Sequence, residues 1–185
     1  YLTQGTADRW APTVSPDGLR VAFLRTVGAS AEVFVMPIHG GPDSQVTTGA
    51  RVPRSSRLAW SPSGDRIAFT SIRAGHAIMH VVNLRDGSIR EFPGTRASPV
   101  TAHLSWAPSK RIAYLNLERS TLHLLDPASG REEPLVRNSP QSSFILGPRF
   151  APDGGRLDPA LGADFAAAGL EFATSWTEIR GRLGL

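Results

Sequence analysis

Trp60-Ser61-Pro62-Ser63-Gly64-Asp65-Arg66-Ile67-Ala68-Phe69 decides the fold, because the chain carries it in four versions. Val14-Ser15-Pro16-Asp17-Gly18 comes first and runs on into Leu19-Arg20-Val21-Ala22-Phe23. Trp106-Ala107-Pro108-Ser109 is one residue shorter and continues Lys110-Arg111-Ile112-Ala113-Tyr114. Phe150-Ala151-Pro152-Asp153-Gly154 opens a fourth copy, which continues Gly155-Arg156-Leu157 and then departs. The prolines stand 46, 46 and 44 residues apart. A fixed period of this length marks a repeat architecture, in which each unit buries its apolar face only against its neighbours.

Each copy spells a hairpin. An apolar or aromatic residue closes one strand, proline presets φ at the first corner, Asp or Ser caps locally, and glycine takes the positive φ. A β-branched strand ending in an aromatic residue then leaves. The third copy lacks the glycine, so its turn is expected to be tighter or differently built.

Two further strands complete each unit. Val33-Phe34-Val35-Met36, His80-Val81-Val82-Asn83 and His123-Leu124-Leu125-Asp126 each run into a glycine turn, at Gly40-Gly41, Gly87 and Gly130. Ser44–Thr48, Ser88–Phe92 and Glu132–Val136 follow as short fourth strands. Four short strands per repeat is one blade of a β-propeller. First strands are expected at Pro12–Ser15, Leu58–Ser61, His103–Trp106 and Pro148–Ala151, with Phe23, Phe69, Tyr114, Trp60 and Trp106 buried between blades.

The linked motifs Ser-Pro-Asp/Ser-Gly-x-Arg-Ile/Val-Ala-Phe, Val33–Met36 with Gly40-Gly41, and Val46-Thr47-Thr48-Gly49 resemble the WD-like repeat of TolB-type β-propellers over roughly residues 1–156. That family includes periplasmic TolB, the propellers of prolyl-oligopeptidase-like enzymes and sensor domains of bacterial kinases. The resemblance implies an all-β propeller of four-stranded antiparallel blades and favours a periplasmic or extracytoplasmic setting. A fold of this kind carries many functions, so function must be argued from a site.

The expected inventory is about three complete blades plus a partial fourth, reading as a fragment of a larger propeller. Tyr1-Leu2-Thr3-Gln4-Gly5 resembles Gln45–Gly49 and reads as the outer strand of a preceding blade. Residues 157–185 are rich in Ala and Gly, and Ser175-Trp176-Thr177-Glu178 suits a helix capping box; this tail is expected to be helical or irregular. The chain starts at Tyr1 without an initiator Met or a secretory signal, as an excised domain, a processed product or a fragment would. Association between copies is one way the arc of blades would close.

Composition excludes several classes. No apolar run reaches the 18 residues of a membrane span, and the absence of Cys removes disulfides and thiolate metal sites. The net charge of +4 raises the question of nucleic acid, and 19 of the 20 basic residues are Arg, with Lys110 the exception. The arginines are scattered and no nucleic-acid motif accompanies them, so no nucleic-acid partner is expected. Arg20, Arg66, Arg111 and Arg156 share one slot after each turn, where they brace the hairpin or pair with Asp17, Asp65 and Asp153.

No nucleophile elbow and no phosphate loop occur. His76 and His80 fall on one side of a strand, half of a metal site at most, but His80 and His123 occupy the slot held by Phe34 and read as packing positions. No catalytic residue, metal or cofactor is expected. The segments before each first strand, Thr6–Ala11, Gly49–Arg57 and Pro93–Ala102, vary while the blades repeat, and equivalent positions of successive blades converge in space. Their Arg9, Arg51, Arg54, Arg57 and Arg96 are the candidate binding residues, suited to an acidic peptide or a carboxylate. The reading is therefore a non-catalytic binding or scaffold propeller that recognises a protein or peptide partner. The alternative is the gating propeller of a prolyl-oligopeptidase-like serine peptidase whose catalytic domain is absent from this chain.

Overall fold

The computed structural model describes residues 8–97, 103–116, 121–137, 145–150 and 157–161. Among them there is no helix. Blade 1 consists of β1 (Arg9–Val14), β2 (Arg20–Val27), β3 (Ser30–Pro37) and β4 (Ser44–Gln45); blade 2 of β5 (Ala59–Trp60), β6 (Arg66–Arg73), β7 (His76–Asn83) and β8 (Ile89–Ala97); blade 3 of β9 (Leu104–Trp106), β10 (Ile112–Leu115), β11 (Thr121–Leu125) and β12 (Glu132–Arg137). Each is an antiparallel four-stranded sheet with its strands in chain order. β13 (Ile145–Phe150) and β14 (Leu157–Leu161) form a further hairpin.

The repeated phrase builds the turn between the first two strands. Gly18 N–H donates to Ser15 O and Gly64 N–H to Ser61 O, both at 2.9 Å. The Ser15 and Ser61 hydroxyls accept from the backbone N–H of Arg20 (2.9 Å) and Arg66 (3.0 Å). Hydrogen bonds from the Ser15 hydroxyl to Asp17, and from Ser63 to Asp65, hold both carboxyls below their usual range. In the shorter third copy Lys110 takes the glycine's place. Its N–H donates to Ala107 O at 2.9 Å, and its φ is +67°.

Blades pack face to face. Ala22, Leu24, Ala31 and Val33 of blade 1 meet Trp60, Ile67, Phe69 and Val82 of blade 2. The opposite face of blade 2, with Ala68, Met79 and Val81, meets Trp106, Ile112, Tyr114 and Leu125 of blade 3. Period-two alternation allots successive residues of β6 to these two interfaces. Phe69, Tyr114, Trp60 and Trp106 are thus buried between blades. Phe23 is buried too, but in a separate cluster with Val21, Phe34 and Met36 on the other face of blade 1. Val14, the counterpart of Trp60, is half exposed.

Two expectations shift. Leu157–Leu161, expected to be helical or irregular, is a strand that pairs with Ile145–Phe150 in a two-stranded sheet. The ladder partner supplied by β13 outweighs the poor strand propensity of Ala and Pro in β14. The remainder of the tail, 162–185, lies outside the described residues. Second, β8 runs on through Pro93 to Ala97 where a loop was expected. A register shift accommodates Pro93-Gly94, and the Thr95 hydroxyl accepts the Met79 N–H at 2.9 Å while donating to Phe92 O at 2.6 Å. Thr47 performs the first of these tasks for Val33 in blade 1, at 2.9 Å.

Candidate functional site

Antiparallel order places the connections after the second and fourth strands of every blade at the same end of the sheets. The segment between β4 and β5, carrying Arg51, Arg54 and Arg57, lies at this end, beside the β6–β7 turn at Ala74-Gly75. β4 is only two residues long, and the chain that follows it turns away from β3 after Thr47 and returns to it at Val52. A cleft of about 440 Å³ opens there. Thr48, Gly49, Ala50 and Arg51 form one wall, and Phe69, Ser71, Arg73, His80, Ile89 and Glu91 form the other.

The polar wall follows from register. Phe69 is opposite His80, and His80 is opposite Glu91; Ser71 and Arg73 follow Phe69 at spacing two, so all five share one face. The rings of Phe69 and His80 stack at 5.1 Å. Ser71 Oγ lies 2.7 Å from His80 Nε2. Arg73 grips Glu91 with both nitrogens, at 2.6 and 3.1 Å. Burial holds the His80 imidazole below its ordinary value near 6.5; Glu91 pulls it up and Arg73 pushes it down. Ser71 lies within a strand, and Glu91 is occupied by Arg73, so the Ser–His pair lacks the carboxylate and the turn-borne geometry of an acyl-transfer site.

The opposite wall is bolted down around Arg51. The Glu32 carboxylate, 2% exposed, accepts the Thr47 hydroxyl at 2.7 Å and the Ala50 N–H at 3.2 and 3.3 Å. On the far side Val52 N–H donates to Ala31 O at 3.2 Å, and the Val52 side chain is buried. Between these anchors Arg51 has φ +51°, a left-handed conformation that a non-glycine residue keeps only where its surroundings impose it.

The candidate arginines separate accordingly. Arg51 is exposed and lines the cleft; among the described residues no hydrogen bond or ion pair engages its guanidinium. Arg54 pairs with Asp8 and lies over the Trp10 ring at 4.9 Å. Among the described residues Arg57 reaches the carbonyl of Ser56, at 3.4 Å. Arg9 belongs to β1, where it pairs with Asp43 at 3.4 Å beside the Arg25–Asp43 ion pair. Arg96 lies on β8, and its side chain is outside the description. The structure therefore brings one of the five to a cleft. Sequence reading did not assign Ser71, Arg73, Glu91 or Glu32. The signal was a paired departure from the repeat: where blade 1 has Arg25 and Phe34, blade 2 has Ser71 and His80.

Of the arginines after the repeated turn, Arg20 braces it; Arg156 lies outside the described residues. Arg20 donates to Asp17 at 3.1 Å and reaches Gly64 O of the next blade at 2.8 Å. Arg111 pairs instead with Glu133. Among the described residues no group of three or more His, Asp or Glu is placed to hold a metal ion, and no helix is long and apolar enough to cross a membrane.

No protein-family model and no curated protein matches the sequence. Solved structures do match the fold. The structure of TolB from Acinetobacter baumannii gives a TM-score of 0.68 at 15% identity, over 86% of this chain and 40% of that one. One described as a TolB from Agrobacterium tumefaciens gives 0.64 at 16% identity, over 80% and 52%. A puromycin hydrolase gives 0.60 at 18% identity, over 84% and 25%. The fold is thus that of a TolB-type β-propeller. At these identities the likeness is one of architecture, and the chain spans about half or less of the structures it matches.

Proposed function

We propose that this chain is a non-catalytic binding propeller, extracytoplasmic in setting, that recognises a protein or peptide partner at the end carrying the β4–β5 segment. One observation carries the reading: Arg51, between the backbone anchors at Ala50 and Val52, lines a cleft and is paired with no anion among the described residues, with Arg54 and Arg57 in the same segment. Three cations in seven residues favour an acidic partner and make its capture salt-dependent. The likeness to a puromycin hydrolase supports a second reading, in which these blades cover the entrance of a separate hydrolase domain.

The test is a synthetic peptide array probed with the purified chain, followed by anisotropy titrations of the peptides selected. Changing Arg51, Arg54 and Arg57 together to Ala should weaken binding at least tenfold and flatten its salt dependence, with the melting temperature little changed. Full affinity in the triple variant would place recognition elsewhere. Peptide cleavage by the purified chain would refute the non-catalytic assignment.

A further inference from the structure

We propose that the cleft between the first and second blades is a carboxylate-binding site, with Arg51 meeting the charge and the Ser71–His80 pair donating a hydrogen bond. The inference rests on the binding reading above and names the chemistry of its ligand.

The donor count leads to this assignment. A neutral imidazole and a serine hydroxyl together carry two polar hydrogens, and the 2.7 Å contact between Ser71 Oγ and His80 Nε2 uses one of them. If the hydroxyl donates to Nε2, the hydrogen on Nδ1 remains. If Nε2 donates to the hydroxyl, the Ser71 hydrogen remains. Either tautomer leaves the pair with one unused donor, both side chains line the cleft, and burial favours the neutral imidazole to which the count applies. A ligand entering here therefore needs an acceptor.

Charge decides which acceptor. Two cations line the cleft, Arg51 and Arg73, with one anion, Glu91. Glu91 and Arg73 neutralise each other through two hydrogen bonds, and the buried Glu32 carboxylate behind the wall is engaged by the Thr47 hydroxyl and the Ala50 N–H, so among the described lining residues Arg51 is the cation left to meet an anion. A singly charged, planar acceptor that an Arg engages in a fork is a carboxylate. Ile89, 43% exposed, supplies apolar surface for the carbon atoms beside it, and the volume suits one or two residues of a peptide. The anchoring of Ala50 by Glu32 and of Val52 by Ala31 removes much of the ordering cost of a loop-borne Arg. Glu32 is thus a positioning residue for Arg51.

A carboxylate reaches such a cleft from a chain terminus or from an Asp or Glu side chain. Four capped peptides separate the two: acetyl-Ala-Gly-Leu as free acid and as amide, and acetyl-Ala-Glu-Ala-amide beside its Gln counterpart. Titrations followed by amide-proton NMR shifts should show saturable binding of at least one acid, at least tenfold tighter than its neutral twin, with the largest shifts at residues 49–51 and 71–80. The acid that binds identifies the source. Arg51→Gln should weaken that acid at least tenfold. His80→Phe, which installs the residue blade 1 carries at the equivalent Phe34, should weaken it several-fold while the fold persists. Equal binding of acid and neutral twin, no saturable binding of either acid, or full affinity in Arg51→Gln would overturn the assignment. The array-selected peptides separate this failure from that of the parent reading: if they still depend on Arg51, Arg54 and Arg57 while both acids bypass the cleft, only the carboxylate site is lost.

Discussion

The indole N–H of Trp60 donates to the carbonyl of Thr13 at 3.1 Å, so the closing residue of one blade's first strand is tied to the first strand of the blade before it. The Arg20 guanidinium lies 5.0 Å from the same indole ring and donates to Gly64 O at 2.8 Å. Cation, ring and turn thus form one clasp between blades 1 and 2.

Two variants divide the clasp. Trp60→Phe keeps most of the buried area but leaves the Thr13 carbonyl without its donor, an effect of about 1 kcal/mol. Trp60→Ala adds a cavity and should cost about 3–5 kcal/mol. Urea unfolding of both variants checks the ordering, and equal losses would show that the hydrogen bond, not the packing, dominates.

The turns offer a comparison in which conformation and contact separate. Gly18 and Gly64 have φ of +72° and +68°. A Cβ at Gly18 meets nothing within 4 Å, whereas one at Gly64 comes 3.1 Å from Arg20 Nη2. Gly18→Ala should cost about 1 kcal/mol from backbone strain, and Gly64→Ala more, because Arg20 must also release the Gly64 carbonyl. Lys110→Gly should work in the opposite sense, stabilising by about 1 kcal/mol, because Lys110 holds φ +67° without glycine's freedom. Thermal melts of the three variants test the set.

His80 should make the fold acid-sensitive. Its folded value lies below the ordinary one near 6.5 because burial disfavours the charged ring, so the unfolded chain binds a proton first as pH falls. The stability it contributes is complete above about 6.5 and is lost on descending through the folded value. His80→Phe should remove this part of the acid sensitivity and retain the ring stack, as Phe23 and Phe34 do at 5.9 Å in blade 1. Unfolding curves at pH 5 and 7.5 for both proteins are the measurement, and an unchanged pH difference would count against the assignment.

Tyr114 works at the alkaline end. Burial, then its 2.6 Å hydrogen bond to Glu132 and the charge of that carboxylate, raise its phenol far above the ordinary 10. Stability from this group is present below pH 10 and is lost as pH rises toward the folded value. Ultraviolet titration should show Tyr114 ionising only as the chain unfolds. Tyr114→Phe should abolish that step and cost about 1 kcal/mol at neutral pH, since Glu132 loses a donor.

The sequence by itself determined the blades. The recurring Ser-Pro-x-Gly turns and the strands after them depend on local φ preferences and period-two patterning, which are properties of adjacent residues, and Trp60, Trp106, Phe69 and Tyr114 were legible as core for the same reason. It offered Arg51 only as one of five candidate arginines of equal standing. Only the tertiary structure told them apart, because whether a guanidinium meets an Asp depends on where Asp8 and Asp43 lie in space. The cleft itself was beyond sequence reading. It lies between the segment that follows β4 and the face of blade 2, and its chemistry arises because cross-strand register sets Ser71, His80, Glu91 and Arg73 side by side from three different strands. Such neighbours are set by pairing between distant segments, which one chain read in order does not specify.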